Sequence, residues 1–201
     1  EKVHQGTADL GLVSFPRRSR ELAVLPWREE AMVLACAPAH PLAAGGKVRV
    51  TQLGGEKYVG FARGLVIRRE IDRFLREQNV AVEVVAEFDS IENIKKGIEA
   101  LAGVALLPEP TLRQEVRAGT LAAVPLDGRR LVRPVGIIHR RRHRLSPAAA
   151  CFIDLLRGVH DAAHANGSDG ASHSPRPRGR GKSGGTAPTG NGKARSSGRN
   201  A

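Results

Sequence analysis

The stretch between residues 57 and 107 sets the tightest limit on what this chain can fold into. It reads, in order, "KYVGF" (57–61), "VIRREIDRFLREQNV" (66–80), "VEVVAEF" (82–88), "DSIENIKKGIEAL" (89–101) and "VALL" (104–107). The first, third and fifth pieces are short and apolar, with β-branched or aromatic residues, which suits strands. The second carries Ile67, Ile71, Phe74 and Leu75 at i, i+4, i+7 and i+8, one face of a helix. The fourth keeps Ile91, Ile94, Ile98 and Leu101 on one face, and Asp89 with Glu92 has capping-box spacing. Gly103 frees the backbone between the second helix and the last strand, while Pro108 and Pro110 forbid that strand's extension. Two successive crossovers of the right-handed kind lay helices on the faces of a parallel sheet. The fold class is α/β.

In open parallel sheets ligands collect beyond the carboxyl ends of the strands, where helix N-termini point. Those places are "FARGL" (61–65) and "FDSIEN" (88–93). Each offers unpaired backbone N–H groups and the positive end of a helix dipole, a cradle for a carboxylate or phosphate. Ala62, Arg63, Gly64 and Leu65 form the first loop, where the arginine and glycine strengthen the case. In the second, Asn93 can donate or accept, whereas Asp89 and Glu92 oppose an anion unless they are occupied with capping.

Further strands are expected at "ADLGLVS" (8–14), "EAMVLACAP" (30–38) and "RPVGIIHRR" (133–141). "SPAAACFIDLLRGV" (146–159) reads as a helix with Ser146 as N-cap and Pro147 at its first position. From about Asp161 the composition turns to Gly, Ser, Pro and Arg, with no Leu, Ile, Val or aromatic residue from Asn166 onward. Such a segment buries too little apolar surface to offset its ordering entropy, so 161–201 is expected to be a disordered basic tail. The formal charge is +12, of which the tail holds seven Lys/Arg against two Asp, or +5. That balance suggests polyanionic company, and weak, salt-sensitive contact of the tail with nucleic acid is one form of it.

Chemistry-bearing constellations are poor. The sequence contains no G-x-S-x-G elbow, no H-E-x-x-H, no P-loop and no His/Cys cluster at metal-ligand spacing. An enzyme, a metal site and a cofactor are therefore not expected. Cys36 and Cys151 both sit in apolar stretches and read as reduced core thiols of a cytoplasmic protein. No run of about eighteen apolar residues occurs, so no membrane span is expected. The chain opens on Glu1 directly in apolar patterning, which suggests that a piece lies upstream.

Five pieces in order, "GTADLGLV", "EEAMVLACAPAHPLA", "FDSIENIKKGIEALAGVALLPEP", "GTLAAVPL" and "RPVGIIHRR…LSPAAACFIDLLR", resemble the effector-binding domain of LysR-type transcriptional regulators over roughly residues 1–158. The resemblance implies a two-lobed fold like that of the type 2 periplasmic binding proteins, with lobe one incomplete. It implies lobe one at 1–37, lobe two at 38–133, a return to lobe one at 134–160, and the tail at 161–201. A small-molecule effector, anionic by the argument above, would lie between the lobes. Ser14 stands where lobe one's strand reaches the cleft, the 62–65 loop matches the family's lobe-two cleft loop, and Asn93 and Ala102 fall near it. One departure is that the family's "AGLG" turn appears here as "ALAG", with Leu101 at a usual glycine. The other is that the winged helix-turn-helix, its linker helix and the first strand and helix of lobe one do not occur in this sequence. The implied partners are the effector, DNA through that N-terminal domain, and further copies in a homodimer or homotetramer. A transporter's solute-binding protein shares the architecture and is the alternative reading; it would be an exported monomer.

Overall fold

The structure is a computed structural model that describes residues 1–165. In chain order the elements are α1 (Lys2–Gln5), β1 (Leu10–Ser14), β2 (Leu22–Cys36), β3 (Val48–Arg49), β4 (Lys57–Phe61), α2 (Val66–Glu77), β5 (Glu83–Phe88), α3 (Ile91–Leu101), β6 (Ala105–Pro108), α4 (Arg113–Ala118), β7 (Ala122–Asp127), β8 (Val132–Arg140) and α5 (Pro147–Ala165), with short 3-10 turns between some of them.

β2 organises the molecule. From Leu22 to Ala31 it pairs antiparallel with β8, whose other edge carries β1. From Met32 onward its partners change: β6 takes one edge and β7 the other, both antiparallel. One continuous strand thus belongs to two sheets, the arrangement expected of two lobes joined by crossing strands. The expected strand at 30–38 is only the far half of β2. Its near half escapes a reading by apolar runs because Pro26 lacks a donor and Arg28, Glu29 and Glu30 look like a loop. The ladder accommodates them with a register shift between Pro26 and Arg28.

The five-piece unit at 57–107 forms as expected, with adjustments at its ends. β4 and β5 are parallel neighbours. β6 joins β4 through a parallel bridge between Tyr58 and Val104, with Val59 N–H donating to Val104 O at 2.9 Å and Val104 N–H to Lys57 O at 2.8 Å. α2 stops at Glu77, before the expected 80, and Asn79 takes a left-handed φ of 54° just beyond. α3 starts at Ile91 with Ser90, not Asp89, as its N-cap residue. α4 and β7 went unassigned by periodicity, since each is only six residues long.

Lobe two holds most of the core. Leu34, Leu53, Tyr58, Ile94, Ile98 and Leu106 are all essentially sealed from solvent. The Tyr58 hydroxyl accepts the Leu106 N–H at 3.3 Å, and burial pushes its phenol well above the ordinary range. Cys36 is fully buried, its thiol pushed up to about 11 by burial and then by Glu56. Cys151, by contrast, is exposed on α5 and is not the core thiol expected; it lies on the outer face of the helix, whose inner face buries Ala149 and Ile153. α5 is held by Ser146, whose hydroxyl accepts the Ala149 N–H at 3.2 Å, and by Trp27, whose Nε1 donates to Leu156 O at 3.0 Å. The helix continues through Ala165, so the tail does not begin at 161: four of residues 161–165 are Asp, Ala, Ala and Ala, and alanine is the strongest helix former. The rest of that expected tail, 166–201, lies outside the described residues.

Gly103 is where β6 meets β4 most closely. A Cβ there would stand 2.8 Å from Lys57 O and 3.2 Å from Val59 Cγ2. Gly103→Ala should therefore cost about 1–3 kcal/mol of stability as the two strands are forced apart. Denaturant unfolding measures it, and an unchanged midpoint would mean the bridge tolerates separation.

Candidate functional site

Because β4 and β5 run parallel side by side, the helices that follow them start at the same edge of the sheet. Ala62 N–H donates to Phe88 O at 2.8 Å, carrying the ladder to the point where both chains turn. α2 has Leu65 as its N-cap residue, which has no capping side chain to offer. α3 has Ser90, yet that hydroxyl makes no cap hydrogen bond. The first intrahelical bonds come from Arg69 N–H to Leu65 O and from Ile94 N–H to Ser90 O. The N–H groups of Val66, Ile67 and Arg68, and of Ile91, Glu92 and Asn93, precede those bonds and receive no side-chain cap. The expected Asp89–Glu92 capping box does not form, and both helix ends keep their donors for another acceptor.

These ends face lobe one across a cleft of about 420 Å³. Its lining combines apolar side chains, among them Phe15, Phe61, Leu65 and Ile91, with the polar Ser14, Ser90 and Arg133 and the acidic Asp89 and Glu92. Ser14 ends β1, and Phe15 follows with a left-handed φ of 50°, its N–H donating to Pro134 O at 2.8 Å. A phenylalanine held in that region is strained, and here the strain sits where lobe one meets the cleft. A recess of about 520 Å³ near His4, Arg20, Glu21, Arg140 and Arg142 is larger, but its bounding side chains are mostly charged and His4 is already paired with Glu21. Volume alone does not make it the better site.

The structure brings some of the sequence-derived residues together and separates others. Ser14 and Leu65 line the cleft. Ala62 and Gly64 belong to the loop before α2, where Gly64 needs its φ of 96° and accepts a hydrogen bond from Arg69 Nη1 at 3.1 Å. Arg63 projects into solvent, 85% exposed, with Nε 3.3 Å from Glu87, and its side chain is not among those lining the cleft. The exposed Asn93 side chain does not line it either, although its backbone N–H is one of the uncapped donors. Ala102 caps the opposite, C-terminal end of α3 with a φ of 49°, about 18 Å along the helix from Ser90. Arg133 and Phe15 were not singled out in the sequence, while Phe61 entered only as the first residue of the 61–65 loop and Ile91 only as part of a helical face; Arg133 stood inside an expected strand, and no periodicity marks which strand residue faces a second lobe.

Arg68 fixes the shape of the first loop. Its side chain is 8% exposed, with Nη1 donating to Phe61 O at 2.6 Å and to Glu87 at 3.0 Å, and Nε donating to Asp72 at 2.8 Å. It thereby ties the end of β4, β5 and α2 into one unit behind the cleft. The hydrogen bond from Arg68, set against partial burial, holds the Glu87 carboxyl below the usual carboxylate range.

Arg68 is buried but its carboxylate partners are partly exposed, so Arg68→Ala should lose about 1.5–3 kcal/mol in denaturant unfolding, whereas Arg63→Ala, which removes an exposed partner of the same Glu87, should lose less than about 1 kcal/mol. Equal losses would place the structural role in Arg63 as well. Since the folded-state value of Glu87 is depressed, its contribution is complete above the ordinary glutamate range, near pH 4.3, and fades as pH falls through the lowered value. Stability followed from pH 6 to pH 2 should therefore decline less steeply in Glu87→Gln than in the natural chain.

The sequence matches the LysR substrate binding domain family over residues 1–161. Among relatives, it is 32% identical over 146 residues to the uncharacterized HTH-type transcriptional regulator YeiE of Escherichia coli, covering 73% of this chain and 50% of that protein. The regulatory domain of CcmR from Synechocystis, solved in complex with 2-PG, is 25% identical, with a TM-score of 0.71 over 79% of this chain and 76% of that one. The effector binding domain of BenM with its effector benzoate is 17% identical, with a TM-score of 0.70 over 81% of this chain and 74% of that one, a likeness of fold. The chain spans about half the length of the curated relatives it matches. With a family match over four-fifths of its length and two lobes joined by crossing strands, the chain belongs to the LysR substrate binding domain family.

Proposed function

We propose that this chain is the effector-sensing part of a LysR-type DNA-binding transcriptional regulator and takes a small anion between its lobes. The observation that carries the reading is the pair of uncapped helix N-termini opening, with Arg133, onto an apolar interlobe cleft. An anion there is held by backbone donors, by two dipoles and by a guanidinium. Side chains of Ser14 and Leu65, backbone of the 62–65 loop and the N–H of Asn93 are the contacts proposed from the sequence-derived set, with Phe15, Ile91 and Arg133 added. The anions named for similar domains, 2-PG and benzoate, support the charge of the ligand.

The relatives are transcriptional regulators, which favours this reading over a solute-binding protein and over an enzyme. The whole protein would then read DNA through a separate domain, work in the cytoplasm and assemble as a homodimer or homotetramer. No described helix is long and apolar enough to cross a membrane.

Ser14 is exposed at the cleft, so Ser14→Trp fills the site without entering the core. A ligand at a hundred times its Kd stabilises the folded chain by about 2.7 kcal/mol. A panel of small carboxylates and oxyanions screened by thermal melting should contain one that raises the midpoint of the natural chain and leaves Ser14→Trp unmoved. Equal stabilisation of both would remove the cleft as the binding site.

A further inference from the structure

Arg133 is the one cation among the side chains lining the cleft, and it is already half committed. Its Nε donates to Glu30 Oε2 at 2.8 Å, and its Nη2 donates to the same oxygen. Nη1 donates to nothing among the described residues. Glu30 is 3% exposed and stands directly opposite Arg133 in the β2–β8 ladder. Its other oxygen lies 2.5 Å from Nη2 of Arg28. Two arginines therefore share one buried carboxylate, and the trio carries a single net positive charge. Around the cleft itself the balance is more negative. Asp89 is exposed and makes no ion pair among the described residues, and Glu92 is 3.0 Å from Lys95.

We infer that Arg133 recognises the ligand's charge and that Glu30 and Asp89 restrict that charge to one, so the cleft takes a small monoanion with an uncharged, largely apolar remainder. This rests on the reading of the cleft as the effector site. One negative group receives the free Nη1 and the two helix ends, each worth about half a positive charge. A second negative group has no such partner. It must lie either against Phe15, Phe61, Leu65 and Ile67, where nothing replaces its water, or beside Asp89 and Glu92, which repel it. Glu30 limits the pull of Arg133 on a dianion because its carboxylate, shared with Arg28, leaves the trio with one net positive charge. The same trio supplies a reporter: the Arg28 guanidinium lies 4.2 Å from the ring of Trp27, the only tryptophan in the chain. A ligand drawing on Arg133 shifts Glu30 toward Arg28 and changes the environment of that indole.

Calorimetric titration of the full chain at pH 7.5 with benzoate, cyclohexanecarboxylate and the dianion phthalate tests this. The two monoanions should bind and change Trp27 emission, with phthalate at least tenfold weaker than benzoate. Arg133→Gln should weaken benzoate at least tenfold, with Arg133→Lys intermediate. Because removing Arg133 disturbs a buried pair, Asp89→Asn provides the second variant: it should narrow the benzoate-to-phthalate ratio at least threefold. Phthalate binding as tightly as benzoate to the natural chain, or an unchanged ratio in Asp89→Asn, overturns the charge restriction alone. Binding of none of the three overturns the reading of the cleft and the restriction with it.

Discussion

The antiparallel pairing of β2 with β8 is the constraint on which the remaining architecture depends. These strands are the only long ladder in the described residues, and β2 changes partners partway along, between Ala31 and Met32. Because hydrogen bonding within a ladder is continuous, the two lobes cannot drift apart; they can only bend about the strands that they share. The cleft lies beside this shared ladder because Arg133 on β8 and Ser14 on β1 reach the same space as the starts of α2 and α3. Register does the rest. A one-residue slip of β8 would turn Arg133 to the opposite face and leave Glu30 buried without its partner.

The electrostatics of the cleft follow from what the sequence leaves out. A helix opening at an interior position ordinarily recruits Ser, Thr, Asp or Asn to accept its first N–H groups. α2 opens at Leu65, and the serine in front of α3 makes no cap hydrogen bond. Both helices therefore accept the cost of unsatisfied donors at one place, and the parallel pairing of β4 with β5 makes it the same place. Arg68 keeps this arrangement from collapsing inward: by donating to Phe61 O, Asp72 and Glu87 it satisfies the acceptors behind the loop and leaves the donors in front free.

The sequence was legible where pattern and position coincide. The alternation of short apolar runs with helical periodicity over 57–107 found β4, α2, β5, α3 and β6, and the rule about carboxyl ends of parallel strands pointed to the loops at 61–65 and 88–93. What it could not supply was direction. Arg63 and Asn93 are the conspicuous polar residues of those loops, but their side chains project away from the space the loops enclose, and the backbone beside them faces it. Ala102 entered through the resemblance and lies at the far end of α3. Arg133 was invisible for a different reason: its importance comes from standing opposite Glu30, 103 residues away in the chain, a pairing that only the ladder creates. Long β2 was hidden by Pro26 and a run of charges, because the side chains that mark a loop in an exposed segment also occur in a strand whose neighbours can pair them.

Placing a buried ion trio in the strands that join the lobes has a mechanical consequence. Ligand binding changes a shape only if the ligand prefers one arrangement to another, and moving a population from one part in a hundred to ninety-nine requires a preference of about 5.5 kcal/mol. Contacts made equally in both arrangements contribute nothing to that difference. The helix ends and Arg133 belong to different strands and helices, so an anion can touch all of them only when the lobes stand at one separation. Apolar contacts from Phe15 and Ile91 add to affinity but yield gradually as the cleft opens, whereas a charge-assisted hydrogen bond weakens steeply over an ångström. In the proposed reading the polar contacts are the ones that convert binding into a choice of shape, and the contacts from Glu30 through Arg28 to Trp27, whose Nε1 donates to the backbone of α5, connect the cleft to that helix.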